Sequence, residues 1–122
     1  MKLDHCVSQI HKAWENANLA NDPVVLSNVR GTIAYAAAMD ANGVAVNRTT
    51  QVYINYGNNS RLDSMGFTPF GIISEADMAI VDAINAAYGE EPDQDSIYAQ
   101  GDAYLSANFP GLDYITATSV AF

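Results

Sequence analysis

The sequence contains a single cysteine, Cys6, among its 122 residues. One thiol cannot form an internal disulfide, and one thiolate alone does not make a metal site. The two histidines, His5 and His11, are six residues apart, whereas two imidazoles that share a metal on one helix face stand four apart. A phosphate-binding glycine loop, a Gly-x-Ser-x-Gly motif and a His-Glu-x-x-His motif are also missing. We therefore expect no metal and no cofactor.

Basic residues are few and confined to the first half of the sequence. Five lysines and arginines stand against fourteen aspartates and glutamates, and no basic residue follows Arg61. The net charge of −9 argues against nucleic acid as a partner, because phosphate backbones are bound mainly by lysine and arginine.

Long apolar runs are missing as well. No stretch approaches the roughly 18 uninterrupted apolar residues of a membrane-spanning helix, and residues 1–5 lack the apolar core of a secretion signal. We therefore expect no membrane association and a cytoplasmic location. Apolar residues make up 49% of the chain, which suffices for a hydrophobic core, so we predict a single domain over residues 1–122.

Apolar periodicity predicts two or three helices. Apolar residues at spacings of four, three and four mark a helix over residues 3–18: Leu3, Val7, Ile10 and Trp14. Ser74 is a good N-cap for a second helix over residues 75–88, which Gly89 ends. Residues 96–109 are predicted to be helical in part, with Gly101 weakening the helix.

Four segments have the composition of β-strands. They cover residues 31–37, 50–56, 67–73 and 114–119. Pro69 restricts the third of them to the edge of a sheet or to a bulge. Between the first two, Asp40-Ala41-Asn42-Gly43 has the composition of a tight turn.

Three motifs follow one another in this part of the chain. They are Thr-Gln-Val-Tyr-Ile-Asn at residues 50–55, Arg-Leu-Asp at 61–63 and Phe-x-Pro-Phe-Gly at 67–71. Their order resembles the second half of a cyclophilin, the family of peptidyl-prolyl cis-trans isomerases, from about Trp14 to Ser119. The resemblance implies a mostly β fold with two or three helices, a reduced cyclophilin-like β-barrel.

The resemblance also implies a substrate groove. Tyr53 corresponds to the aromatic residue at the base of the family's proline socket, Leu62 to its aliphatic wall, and Phe67 to a position at its rim. Gln51 matches a glutamine two residues before the aromatic residue. Ala36 and Ala37 match a pair whose backbone bonds the bound peptide, although Ala37 stands where the family has asparagine.

Prolyl isomerisation needs no nucleophile and no metal. The barrier of about 18–20 kcal/mol comes from the partial double bond of the amide, and a catalyst lowers it by binding the twisted amide best. A donor near the prolyl nitrogen helps, because the twisted nitrogen regains its lone pair. The family's strands that carry its catalytic arginine have no counterpart here, so Arg48 and Arg61 are the candidate replacement donors.

Two functions remain open at this stage. The chain is expected to isomerise X-Pro bonds of peptides and proteins, or else to bind proline-containing segments without catalysis. Without the family's opening strands, a barrel would leave sheet edges and an apolar face uncovered. We therefore expect a homodimer in which two copies cover each other, with coverage by the helix over residues 3–18 as the alternative.

Overall fold

The computed structural model of the chain describes residues 12–121. These residues divide between positions 79 and 80 into two compact units. The single domain expected over residues 1–122 stays a prediction. Of the helix predicted over residues 3–18, residues 12–15 are helical, and Cys6, His5 and His11 lie outside the described residues.

Short strands and short helices alternate along the described chain. The strands are β1 (Thr32–Tyr35), β2 (Ala38–Met39), β3 (Ala45–Val46), β4 (Val52–Ile54) and β5 (Pro69–Ile72). A 3-10 helix spans Ser60–Met65, and the α-helices are α1 (Glu75–Asp82), α2 (Gln94–Gln100) and α3 (Asp102–Asn108). No helix among residues 12–121 is long and apolar enough to span a membrane.

The three-stranded antiparallel sheet of the first unit has the order β4-β1-β5. Ala34 in the central strand is opposite Tyr53 and Pro69, and a bulge between Ile33 and Ala34 interrupts the pairing with β5. Pro69 therefore lies on an outer strand, as predicted, where its missing N–H costs no ladder bond. The strands β2 and β3 form a separate two-stranded sheet around the predicted turn.

The predicted mostly β barrel is wrong, because the described part of the chain is a mixed α/β structure with open sheets. Barrel closure requires every outer strand to find a partner, and β4 and β5 remain outer strands. The strand predicted over residues 114–119 has no regular secondary structure. It lies in the second unit, whose described residues contain no strand for it to pair with, and a lone strand is not stable.

Polar residues take an unusual share of the interior of the first unit. Ala34, Ala45 and Met78 are buried together with Asn28 and Asn55, neither of which has exposed surface. A buried amide is tolerated only when its hydrogen bonds are made inside the protein. The core of this unit therefore depends on a hydrogen-bond network as well as on apolar packing.

Gly31, the residue before β1, lies at a point of close backbone approach. Its N–H donates to the carbonyl of Asn55 at 2.8 Å, and its carbonyl accepts from Ile73 at 2.7 Å. Its φ is +84°, and a Cβ atom would lie 3.0 Å from the Ile73 carbonyl oxygen. Glycine meets both requirements because it has no Cβ.

Helix α1 begins as predicted and ends six residues early. Ser74 caps it, since the Ser74 hydroxyl accepts from the Asp77 N–H at 3.2 Å. The N–H of Asn85 donates to Asp113 at 2.7 Å, and its side chain donates to the Gly111 carbonyl at 2.6 Å. Because that N–H is directed to Asp113, the helix does not continue to residue 88.

In the second unit, α2 and α3 are separated at Gly101, whose φ is +56°. This confirms the predicted partial helix and its weak point. Phe109 is buried and meets the rings of Tyr88 and Tyr104 edge-on, with centroids 5.2 and 5.6 Å away. These three aromatic residues form the apolar centre of the unit.

Candidate functional site

Tyr53, Leu62 and Phe67, which the sequence assigns to a proline socket, lie together in the first unit. The rings of Tyr53 and Phe67 meet edge to face, with centroids 6.1 Å apart and an interplanar angle of 73°. The Phe67 N–H donates to the Leu62 carbonyl at 3.2 Å. All three are half-buried, so part of each residue is exposed at the surface and the rest is packed inside the protein. We call these three residues the aromatic face.

The 3-10 helix brings Phe67 back toward Leu62. Gly66 ends this helix in the left-handed region, with a φ of 83°, and its N–H bonds back to the Asp63 carbonyl at 3.1 Å. A helix that ends in this way reverses the chain sharply, and glycine is favoured at such a position. The sequence Leu62 to Phe67 is therefore a compact turn that returns the backbone of Phe67 to that of Leu62.

A chain of three asparagines lies beneath the aromatic face, and we call it the amide network: Asn28, Asn55 and Asn59. The Asn59 side-chain amide donates to the Asn55 oxygen at 2.8 Å. Asn55 in turn donates to the Asn28 oxygen at 3.2 Å and to the Thr32 hydroxyl at 2.9 Å. The network is closed by Asn28, whose amide donates to the Phe67 carbonyl at 2.9 Å.

The aromatic face is tied to this network through Tyr53. Its hydroxyl donates to the Asn28 side-chain oxygen at 2.8 Å. Burial raises the pKa of Tyr53, the negative charge of Asp63 adds to the rise, and the positive charge of Arg61 opposes it. The hydroxyl therefore stays protonated at neutral pH and remains a donor.

Asp63 anchors the 3-10 helix to the segment before β1. Its carboxylate accepts from the Ser27 hydroxyl at 2.5 Å and from the Asn28 side chain and backbone N–H at 2.8 and 2.9 Å. These hydrogen bonds lower its pKa, since they favour the charged form. Asp63 is thus an ionised structural acceptor rather than a proton donor.

The two candidate donors have different surroundings. Arg48 is buried, and its guanidinium bonds the Ala20 carbonyl and the Asp22 carboxylate, the latter at 3.3 Å. The Arg48 carbonyl also accepts from the Leu19 N–H at 2.8 Å. Arg48 therefore fastens the segment at residues 19–22 to the first unit.

Arg61 is exposed and directly precedes Leu62 in the 3-10 helix. Its guanidinium donates to the Asn59 side-chain oxygen at 2.9 Å, which joins it to the amide network. Its charge also acts on the Tyr53 hydroxyl. Arg61 is therefore next to the aromatic face, whereas Arg48 is bound to the segment at residues 19–22.

The remaining predicted groove residues are Ala36, Ala37 and Gln51. Ala36 directly follows β1 and Gln51 directly precedes β4, so both lie just outside the paired strands. The Ala36 N–H donates to the Gln51 carbonyl at 2.9 Å, so this N–H is used inside the protein. Gln51 is exposed, and Ala37 is half-buried before β2. The structure thus brings Ala36 to Gln51 by a backbone hydrogen bond, and Phe67 to both Tyr53 and Leu62.

The sequence did not predict the amide network. Asn55 had one detectable signal, because it alternates with Gln51 and Tyr53 on the same face of a strand. Asn28 and Asn59 lie outside the strands and match no motif, so their pairing depends on the fold. Among residues 12–121, no group of three histidine, cysteine, aspartate or glutamate side chains is arranged to hold a metal ion.

Comparison with family models, curated proteins and solved structures finds no match for this chain.

Proposed function

We propose that the chain binds exposed X-Pro segments of peptides and proteins on the aromatic face and accelerates their cis-trans isomerisation. The observation that carries the proposal is the edge-to-face contact of the half-buried rings of Tyr53 and Phe67, with Leu62 joined to Phe67 by a backbone hydrogen bond. The resemblance to a cyclophilin of the ordered motifs at residues 50–55, 61–63 and 67–71 supports it. An action in the cytoplasm stays a prediction.

The aromatic face has the chemistry that a proline ring requires. A pyrrolidine ring is apolar and carries no N–H, so it binds by apolar contact and shape rather than by hydrogen bonds. The rings of Tyr53 and Phe67 meet at an angle of 73°, and the proposal seats the pyrrolidine ring against them, with Leu62 as an aliphatic side. The amide network holds Tyr53 in place before a ligand arrives, and such preorganisation lowers the cost of binding.

Arg61 is the donor in this proposal. A guanidinium has five N–H groups in a rigid fork, and the hydrogen bond to Asn59 involves only its Nη1 atom. The other N–H groups are suited to donate to the prolyl nitrogen as the amide twists. That interaction is stronger in the twisted amide than in either planar isomer, which is the condition for lowering the barrier.

Peptide binding without catalysis is the second candidate, and two observations favour it. Arg48 is held by Ala20 and Asp22, which leaves one of the two candidate donors beside the groove. In addition, β4 is an outer strand, and an extended peptide can add to such an edge through main-chain hydrogen bonds. Affinity would then come from strand pairing, and no twisted amide need be favoured.

Titration with an isotope-labelled protein and a proline-containing tetrapeptide tests the site. The proposal expects the largest amide shift changes at Tyr53, Leu62 and Phe67, and none of comparable size around Phe109 in the second unit. A matched peptide with alanine in place of proline should bind more weakly. Equal affinity for the two peptides would contradict a proline socket, and shift changes confined to the second unit would remove the basis for both candidates.

A further inference from the structure

The basic residues of this acidic chain differ in what they bind. Arg30 pairs with the Glu75 carboxylate at 3.2 Å, and Arg48 pairs with that of Asp22 at 3.3 Å. Arg61 instead donates to a neutral partner, the amide oxygen of Asn59. Within residues 12–121 Arg61 forms no ion pair, so its charge is available to a ligand.

The guanidinium of Arg61 is held at the groove by a relay of hydrogen bonds. Arg61 bonds Asn59 at 2.9 Å, and Asn59 bonds Asn55, which has no exposed surface, at 2.8 Å. The relay continues through Asn28 to the Tyr53 hydroxyl. A flexible surface side chain is thereby connected to the core and to the aromatic face, which reduces the entropy lost when it binds a ligand.

Asp63, the acidic residue nearest to Arg61 in the sequence, does not form an ion pair with the Arg61 guanidinium. Asp63 follows Arg61 by two residues, and its carboxylate oxygens accept from Ser27 and Asn28. Its negative charge opposes an incoming anion, but its hydrogen-bonding positions are turned toward the segment before β1. The net charge of −9 also repels anions at long range, yet exposed charges farther apart than about 8 Å are largely screened at physiological salt. The positive charge of Arg61 therefore has a stronger effect on an anionic ligand at the groove than the net charge of the chain.

We propose that Arg61 makes this site selective for X-Pro segments in which an acidic residue adjoins the proline. The inference rests on the proposed function, because it concerns a ligand already seated on the aromatic face. Arg61 directly precedes Leu62 in the 3-10 helix, so with the proline ring against Tyr53, Leu62 and Phe67 we place the carboxylate of an adjoining residue beside this guanidinium. The N–H groups that Asn59 does not engage bind that carboxylate as a charge-assisted hydrogen bond.

Calorimetric titration with matched peptides tests the selectivity. The probes are Ala-Glu-Pro-Ala against Ala-Gln-Pro-Ala, and Ala-Pro-Glu-Ala against Ala-Pro-Gln-Ala, since glutamine matches glutamate in shape without its charge. We expect at least one glutamate peptide to bind about two- to five-fold more tightly than its partner, the range of an exposed ion pair. The difference should shrink as salt is raised.

Two variants separate selectivity from the groove itself. Arg61→Gln should make glutamate and glutamine peptides bind equally, whereas Arg30→Gln, which changes the charge by the same amount at an arginine paired with Glu75, should preserve the preference. Equal binding of both members of each pair by the unmodified protein would overturn the selectivity while leaving the groove intact. Failure of all four peptides to bind would instead contradict the proposed function. A preference that survives Arg61→Gln would show that Arg61 is not its source.

Discussion

The hydroxyl of Tyr53 donates a 2.8 Å hydrogen bond to the side-chain oxygen of Asn28, a residue with no exposed surface. The same oxygen accepts from Asn55 at 3.2 Å. The aromatic residue at the proposed groove is therefore fixed from below by a buried amide, while its ring takes part in the aromatic face.

Two substitutions at Tyr53 separate the ring from the hydroxyl. Tyr53→Phe removes one hydrogen bond and keeps the ring, so it should lower the free energy of unfolding by about 1 kcal/mol and preserve peptide binding. Tyr53→Ala removes the ring and should abolish binding of proline peptides while the protein still folds. Denaturant unfolding and peptide titration measure the two effects. An alanine variant that binds as well as the unmodified protein would show that Tyr53 is not part of the site.

The ionised Asp63 predicts a loss of stability in acid. Hydrogen bonds from Ser27 and Asn28 lower its folded-state pKa below the ordinary value of 3.8. A depressed pKa contributes stability that is present above the unfolded pKa and lost as pH falls through the folded one. Asp63→Asn should therefore be less stable than the unmodified protein at pH 7, and the difference should narrow below about pH 4. Thermal unfolding across pH measures it, and a difference independent of pH would refute the assignment.

Substitution of Arg48 should lower the stability of the protein, whereas substitution of Arg61 should lower its isomerisation rate. Arg48→Gln removes buried contacts to Ala20 and Asp22, and we expect a loss of about 1–3 kcal/mol in unfolding free energy with unchanged peptide affinity of the folded protein. Arg61→Gln changes an exposed side chain, and we expect a stability change within about 0.5 kcal/mol but a reduced isomerisation rate. Unfolding curves and rate measurements on the same samples test both. The reverse pattern would make Arg48 the functional residue.

Exposed apolar side chains on the three-stranded sheet support the predicted homodimer. Val52 and Phe70 are 49% and 55% exposed on its outer strands, and the Phe70 ring contacts that of Tyr35 at a tilt of 31°, with centroids 4.8 Å apart. Two copies related by a two-fold axis would cover these residues. We expect Phe70→Asp to shift the protein toward monomer in light scattering, and Ile80→Asp, an exposed apolar position on α1, to leave the dimer intact. An unmodified protein that is monomeric at high concentration would contradict the dimer.

Local sequence patterns predicted individual strands and helices better than they predicted how these elements pack into a fold. Residue composition correctly placed strands around Ala34, Tyr53 and Pro69, and the Ser74 cap located the start of α1. The early end of α1 was not predictable, because it depends on Asn85 bonding Asp113, 28 residues along the chain. Barrel closure was a fold-level expectation drawn from the resemblance, and the outer strands β4 and β5 did not meet it.

For the candidate site as well, the sequence predicted individual residues but not the contacts between them. Ordered motifs predicted Tyr53, Leu62 and Phe67 as groove residues, and this assignment stays a prediction. The turn at Gly66 returns Phe67 to Leu62, and the Phe67 ring meets that of Tyr53. The sequence could not show that Arg48 and Arg61 have different contacts, because Arg48 precedes β4 and Arg61 follows it by only a few residues. Their difference comes from contacts with Ala20, Asp22 and Asn59, which only the folded chain defines.

Exchange spectroscopy on Ala-Gln-Pro-Ala tests the isomerase proposal most directly. Uncatalysed X-Pro exchange takes tens to hundreds of seconds at 25 °C, so a catalysed rate stands out clearly. We predict that the unmodified protein raises the exchange rate in proportion to its concentration, that Tyr53→Ala removes the increase, and that Arg61→Gln reduces it. A peptide that binds the protein but exchanges at the rate measured in buffer would contradict catalysis and leave binding as the function.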